Sequence, residues 1–354
     1  MLFFTSIGLS ALNMARVTMS KKIALITSGG DAPGMNAAIR AVTLQAEKYQ
    51  YQVLGFIGGY NGLIDNHFIT LDCHKVDDII RKGGTILKSA RCPEMLDSSG
   101  PKRVVDTLDS NNIDSLIVIG GDGSFKGCLA ISELWQGNII GIPGTIDNDL
   151  DGTDFTIGFA TAVNTGIEAI DKIRDTADAF ERIFIVELMG RPSGHITFNV
   201  GIACGAEQVL SFENFSVDNK QAKFQQLADE IKTAQENRHS SYIIVIAENL
   251  WPGGAMELAS ELKQKANIDC TACVLGHTQR GGSPVPKDRL LATKMGVAAV
   301  QAIIAGEKNI MIAEQHSTMC HIRLENAVKH RKVVNPLLVN AQENILALTA
   351  QNQY

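Results

Sequence analysis

Positive charge is not in excess in this chain: 32 Lys and Arg stand against 38 Asp and Glu, for a net charge of −6, and no basic stripe appears. This argues against non-specific nucleic-acid binding, which needs clustered cations against phosphates. Anionic ligands must be drawn by local arginines and helix ends. Long apolar runs are missing too. Leu2 to Leu9 is apolar but short, has no basic lead, and falls far below the roughly 20 residues of a membrane span. The seven cysteines (73, 92, 128, 204, 270, 273 and 320) are scattered and odd in number, several of them inside apolar runs. A reducing, cytoplasmic setting fits them better than a disulfide framework. Cys270-x-x-Cys273 is half of a zinc or redox motif, but no second pair or nearby His completes it, so both read as strand residues. Internal repeats, low-complexity tracts and long linkers are also absent.

What is present is an ordinary globular composition, 45% apolar and 20% charged, in 354 residues. That length suits two or three domains or one large α/β unit. Five short apolar runs each end in a polar or glycine-rich cluster. Ile23 to Ile26 ends in Thr27-Ser28-Gly29-Gly30-Asp31-Ala32-Pro33-Gly34, and Leu116 to Ile119 in Gly120-Gly121-Asp122-Gly123-Ser124. Ile139 to Ile142 ends in Pro143-Gly144-Thr145-Ile146-Asp147-Asn148-Asp149. Ile183 to Val186 ends in Glu187 to Arg191, and Tyr242 to Ile246 in Ala247-Glu248-Asn249. β-Branched runs without alternation are strands buried on both faces, and helical stretches separate them. The fold class is therefore α/β with mostly parallel sheets. Ligands in such folds gather beyond the carboxyl ends of the strands, so all five clusters are expected to open onto one crevice.

Several clusters carry chemistry. Thr, Asp, Asn and Asp together at a strand end suit proton transfer and charge handling better than a solvated turn. Gly29 to Gly34 leads into a helix whose Met35, Ala38, Ile39, Val42 and Ala46 recur on one face. Glycines and free helix-start amides there can hold an anion. It is not a Walker A loop, because no Gly-Lys-Ser/Thr follows, and its glycine spacing is not that of a dinucleotide fingerprint. Asp122 reads either as a seat for Mg²⁺ carrying nucleotide phosphates or as the N-cap of a tight turn. Arg91, Arg191, His277 and Arg280 fall where phosphates would be held.

These segments, together with Leu275-Gly276-His277-Thr278-Gln279-Arg280-Gly281-Gly282-Ser283-Pro284, stand in the order found in bacterial-type 6-phosphofructokinases. The chain resembles that family from about Lys21 to about Gly306. The resemblance implies two α/β domains with the active site in the cleft between them, and transfer of the ATP γ-phosphate to the 1-hydroxyl of fructose 6-phosphate. By position Asp147 resembles the general base and Asp149 its acidic neighbour, while Arg191 looks like the group stabilising the transferring phosphoryl. Gly30, Arg91, Cys92, Gly121, Asp122, Gly123 and Ser124 match ATP contacts, with Asp122 the Mg²⁺ ligand. Thr145, Ile146, Asp147, Met189, Gly190, Arg191, Glu248, His277, Thr278, Gln279 and Arg280 match sugar-phosphate contacts. Arg182 would reach the site of an adjacent subunit, which implies a homotetramer.

The expected organisation is an ATP-binding domain at 19–157 plus about 278–329, and a sugar-phosphate domain at 158–277 plus about 330–354. Residues 1–18 read as an extra segment upstream of a natural start at Met19, with a weak signal peptide as the alternative. A pyrophosphate-dependent relative would carry an acid at position 123 and a lysine at 144; both are glycine here, leaving room for a nucleotide. A catalytically silent regulatory subunit of the same fold would not need intact Asp122, Asp147 and Arg191. Lipid and NAD kinases share Gly-Gly-Asp-Gly but lack the Thr-Ile-Asp-Asn-Asp and Leu-Gly-His-x-Gln-Arg-Gly-Gly segments. Departures from the family pattern fall at Leu44, Cys73 and Arg238 to Ser241, where an effector pocket would be basic. Arg40 and Arg174 retain part of that charge. Thr271 stands where a substrate-site arginine is expected.

Overall fold

The computed structural model describes residues 21–236 and 241–351, with side chains to residue 344. Residues 1–18 and most of the Arg238 to Ser241 segment therefore lie outside the described residues. Two sheets organise the chain. The larger runs in the order β12-β11-β5-β4-β1-β2-β3, with β6 added to β5. Its strands are β1 (Lys22–Ser28), β2 (Gln52–Phe56), β3 (Phe68–Leu71), β4 (Ser115–Gly120), β5 (Asn138–Thr145), β6 (Ile157–Gly158), β11 (Ile310–Gln315) and β12 (Thr318–Arg323). The smaller has the order β10-β7-β9-β8, from β7 (Ile183–Leu188), β8 (Gln208–Leu210), β9 (Tyr242–Ala247) and β10 (Cys270–Val274). Among the described residues only β2–β3 and β11–β12 form antiparallel ladders; the other ladders are parallel.

The five expected strands are β1, β4, β5, β7 and β9. β4 is buried at every position and β9 likewise, as unbroken apolar runs covered on both faces should be. Register explains why their polar ends meet. Ser28 of β1 pairs with Gly120 of β4, and Gly120 pairs with Pro143 of β5, so three turns leave the sheet flush at one edge. In the smaller sheet Leu188 pairs with Ala247, bringing the Met189 and Glu248 turns together in the same way.

The sheets share one apolar core that runs from Ile119, Ile142 and Ile146 to Val186, Leu188 and Val245. Helix Met35–Lys48 buries Met35, Ala38, Ile39, Val42 and Ala46, the face its periodicity predicts. It packs on helix Pro286–Ala305 at close range: a Cβ on Gly296 would lie 2.7 Å from that of Ala41. Asp288 then ties this pair to the helix Phe159–Phe180 that leads to the smaller sheet. Its buried carboxylate accepts from Gly158 N (3.0 Å), Thr161 N (2.7 Å) and Thr161 Oγ1 (2.5 Å). Among the described residues no helix is long and apolar enough to cross a membrane.

Candidate active site

A cavity of about 430 Å³ opens at the flush strand ends, within the usual range for small-molecule sites. Gly29 and Gly30 after β1, Gly121 to Ser124 after β4, and Gly144, Thr145 and Asp147 at the end of β5 line it. Arg191, from the turn after β7, and Arg280 close it from the other side. The fifth cluster joins through hydrogen bonds. Glu248 Oε1 accepts from Gly190 N (3.2 Å) and Arg191 N (2.9 Å), fixing a turn whose φ values are 148° and 54°.

Asp147 is the centre of this arrangement. It is 1% exposed, yet its Oδ1 has no hydrogen-bond partner. Its Oδ2 accepts from Thr145 Oγ1 (3.3 Å) and lies 3.3 Å from Arg191 Nε. Burial pushes the carboxyl above the usual carboxylate range, the charge of Asp149 pushes the same way, and Arg191 and Arg280 oppose them. Asp149, also buried, is raised by burial and lowered chiefly by Arg191. Two close, poorly solvated carboxylates with arginines beside them can take a proton and stabilise developing negative charge. Asn148, between them, adopts φ 52°, and its Oδ1 accepts from Thr156 N at 3.0 Å, which fixes the turn from behind.

The glycine-rich turns form the opposite wall. Asp122 is the first residue of helix Asp122–Ser132; Gly121 occupies the cap position, and the Asp122 carboxylate bonds Lys126 Nζ (2.8 Å). It is therefore not a capping side chain. Gly30 lies under Arg280, whose Nη1 would be 2.5 Å from a Cβ there. Arg91 and Cys92 line the cavity mouth. So does Tyr60, which no sequence pattern singled out because a lone aromatic reads as core. It is buried, and its hydroxyl donates to Ser124 O at 2.6 Å, bracing the turn after β4.

Some expected contacts are placed otherwise. The Ile146 side chain is fully buried in the shared core. Gln279 is fully buried as well, its Oε1 accepting from Met189 N (2.8 Å) and its Nε2 donating to Ala162 O (3.3 Å). Neither side chain faces the cleft. Met189 is also buried, its amide turned to Gln279, while His277 and Thr278 are exposed beside Arg280. Arg182 lies outside this cavity, with its guanidinium 4.5 Å from the Phe180 ring centre. The two glycines also differ. A Cβ on Gly123 meets nothing within 4 Å, but one on Gly144 would lie 2.8 Å from Ile119 Cγ2 and 3.2 Å from Met35 Cε. Glycine therefore leaves open space at 123 alone; at 144 the constraint is core packing.

At the expected effector pocket, Leu44 packs against the core and Cys73 N donates to Glu47 Oε2. Arg174 is engaged by Glu207 Oε1 (2.7 Å) and Gly205 O (2.9 Å), while Arg40 Nε is buried without a partner.

Comparison with known proteins follows the same outline. The Phosphofructokinase family model matches residues 22–303. The "ATP-dependent 6-phosphofructokinase 1" of Thermus thermophilus is 44% identical over 93% of this chain and 100% of its own length. The "ATP-dependent 6-phosphofructokinase" of Macrococcus caseolyticus is 47% identical over 86% of this chain and 93% of its own. The structure of Pichia pastoris phosphofructokinase in the T-state superimposes with a TM-score of 0.78 at 32% identity, over 93% of this chain. This chain spans 36% of that longer one.

Proposed function

The chain belongs to the phosphofructokinase family, and on that footing we propose that it transfers the γ-phosphoryl group of ATP to the 1-hydroxyl of fructose 6-phosphate. One observation carries the chemistry: a buried carboxylate oxygen, Asp147 Oδ1, stands without a partner at the cavity while an arginine holds its twin. An uncompensated acceptor in such a place suits a hydroxyl donor.

In this reading Asp147 accepts the 1-hydroxyl proton as that oxygen bonds to the γ-phosphorus. The bond from phosphorus to the β,γ-bridging oxygen breaks, and ADP leaves with its electron pair. Arg191 and Arg280 donate toward the charge spread over the phosphoryl oxygens, the main help a protein can give such a transfer. Asp149 adds negative potential that keeps Asp147 basic. Gly30, Arg91, Cys92 and Gly121 to Ser124 hold the nucleotide, and the open space above Gly123 supports ATP over pyrophosphate. Thr145, Glu248 Oε2, His277 and Thr278 are left for the sugar phosphate, while the Met189 to Arg191 amides, bonded to Gln279 and Glu248, hold the Arg191 turn in place.

Among the described residues no cluster of three or more metal-ligating side chains exists. Of the two carboxylates that line the cavity, Asp147 faces Arg191 and Asp122 stands on the nucleotide side, which fits Mg²⁺ brought in on nucleotide phosphates, since that ion uses one or two carboxylates and keeps phosphate and water ligands. When bound, it would neutralise charge on the phosphate oxygens.

The larger sheet supplies the nucleotide turns and the smaller the Met189 and Glu248 turns, which supports a division into 19–157 plus about 278–329 and 158–277 plus about 330–354. A homotetramer with shared sites is supported by Arg182 lying outside its own cavity, and by β10, a sheet edge with exposed Thr271 and Val274. A cytoplasmic setting accords with the seven cysteines, all free thiols. The test is a coupled assay for ADP and fructose 1,6-bisphosphate from ATP and fructose 6-phosphate. Absence of turnover would favour the silent-subunit reading.

A further inference from the structure

The segment following β12 crosses behind the carboxylate turn. Arg331 forms an isolated antiparallel bridge with Leu150, and Lys332 N donates to Asp149 O at 3.0 Å. Lys332 Nζ reaches past the turn to donate to Asp154 O. On the other side, His195 Nε2 lies 3.1 Å from Lys332 O, in reach to donate to that carbonyl. His195 opens the helix His195–Ala203, four positions beyond Arg191. A single dipeptide thus bonds both the turn that carries Asp147 and Asp149 and the helix that ends the Arg191 turn. The segment beyond is anchored independently, by Val334 in the core and by Gln342 Nε2 on Ala206 O.

Lys332 is an unexpected residue for this place. It sits half-buried near the Phe155 ring, 5.9 Å from its centre, and Lys287 Nζ approaches the same ring at 3.0 Å. Burial pushes its ammonium down to about 8, helped by Lys287 and opposed by Asp154 and Asp151. Methionine would fill similar space without desolvating a charge. What lysine adds is the bond from Nζ to Asp154 O, which closes the loop after Asp149 onto the strap.

We propose, resting on the phosphoryl-transfer reading above, that Arg331 and Lys332 form a strap holding the Asp147–Asp149 turn in register with the Arg191 turn, with Lys332 as a positioning residue. It touches no reacting group. It acts by keeping Arg191 Nε against Asp147 Oδ2, a geometry in which misplacement of about 1 Å can cost roughly 10²-fold in rate.

The test uses the full chain carrying Lys332→Met or Lys332→Arg. Lys332→Met should lower kcat about 10- to 100-fold while KM for ATP stays within about twofold, and Lys332→Arg, which keeps a cationic donor, should recover most of the loss. Amide hydrogen exchange should quicken together at residues 148–156 and 191–195 in Lys332→Met, with the β1 and β4 amides unchanged. Should that variant fold poorly, His195→Leu, which cuts the opposite end, must give the same kcat-against-KM split. A kcat within about twofold of the native chain in a folded Lys332→Met, or exchange that quickens throughout the molecule, would overturn the strap. A native chain without turnover would instead overturn the transfer reading, and the exchange pattern would still decide whether the strap couples the two turns.

Discussion

Arg191 Nε lies 3.3 Å from Oδ2 of Asp147, and the two residues come from different sheets. The arginine side chain is about half exposed while the carboxylate is almost wholly buried. The pair therefore spans the boundary between the core and the cleft. The contact contributes little to stability by itself, because an exposed partner is well screened. Its consequence is electrostatic: the guanidinium pulls down a carboxyl that burial and the charge of Asp149 push up.

Replacing that acid should stabilise the ligand-free protein. Asp147 is raised above its unfolded value of about 3.9. Its contribution to stability is therefore fully present below that value and lost as pH rises through the folded pKa. Asp147→Asn should raise Tm at pH 7, and the gain should shrink toward pH 3. Calorimetric melts across that range decide it; a lower Tm at pH 7 would show that the carboxylate is better compensated than its unpartnered Oδ1 indicates.

The glycines at 123 and 144 should respond differently to substitution. Gly123→Asp should leave Tm nearly unchanged and weaken ATP binding, because its Cβ enters open space in the cavity wall. Gly144→Ala should cost about 1–3 kcal/mol in unfolding free energy, the usual penalty for overpacking, since its Cβ would press on Ile119 and Met35. Denaturant titrations and nucleotide binding by calorimetry separate the two. Equal destabilisation by both would contradict the assignment.

Removing the Glu248 carboxylate should unfasten the Arg191 turn. Glu248→Ala leaves Gly190 N and Arg191 N without their shared acceptor, whereas Glu248→Gln keeps a carbonyl oxygen in place. A kcat loss in the alanine variant that the glutamine variant largely restores is expected. Equal loss in both would assign the residue to substrate charge rather than to the turn.

Thr271→Arg should lower KM for fructose 6-phosphate and leave KM for ATP nearly unchanged. Thr271 is exposed on the edge strand β10, where the family resemblance places an arginine toward a neighbour's sugar phosphate. One charge-assisted bond of about 1.5–3 kcal/mol corresponds to roughly 10- to 150-fold in affinity. An unchanged sugar KM would mean that another group already holds the phosphate.

The strand ends were the legible part of this site. Apolar runs mark β1, β4, β5, β7 and β9, and the rule that ligands gather at carboxyl ends of strands is enough to bring their turns together. The edge strands β3 and β12 escaped notice because they lack unbroken apolar runs, and β2, next to the edge, because its short run is interrupted by Gly55. Also unseen were contacts between distant segments: Asp288 with Thr161, His195 with Lys332, and Tyr60 with Ser124. Gln279 shows the same limit from the other side. Its motif points to a ligand, but its side chain is used to bind Met189 and Ala162. Residue type and spacing identify chemistry where a turn follows a strand; they do not say which polar side chains fold inward.

The most direct test of the account is the initial rate of fructose 1,6-bisphosphate formation by the native chain and by Asp147→Asn, with ATP or pyrophosphate as donor. The account predicts turnover with ATP and none with pyrophosphate. It also predicts a kcat lowered by roughly 10²-fold or more in Asp147→Asn, with nucleotide binding retained. Turnover with pyrophosphate but not ATP, or an Asp147→Asn rate within about a factor of two of the native chain, would contradict it.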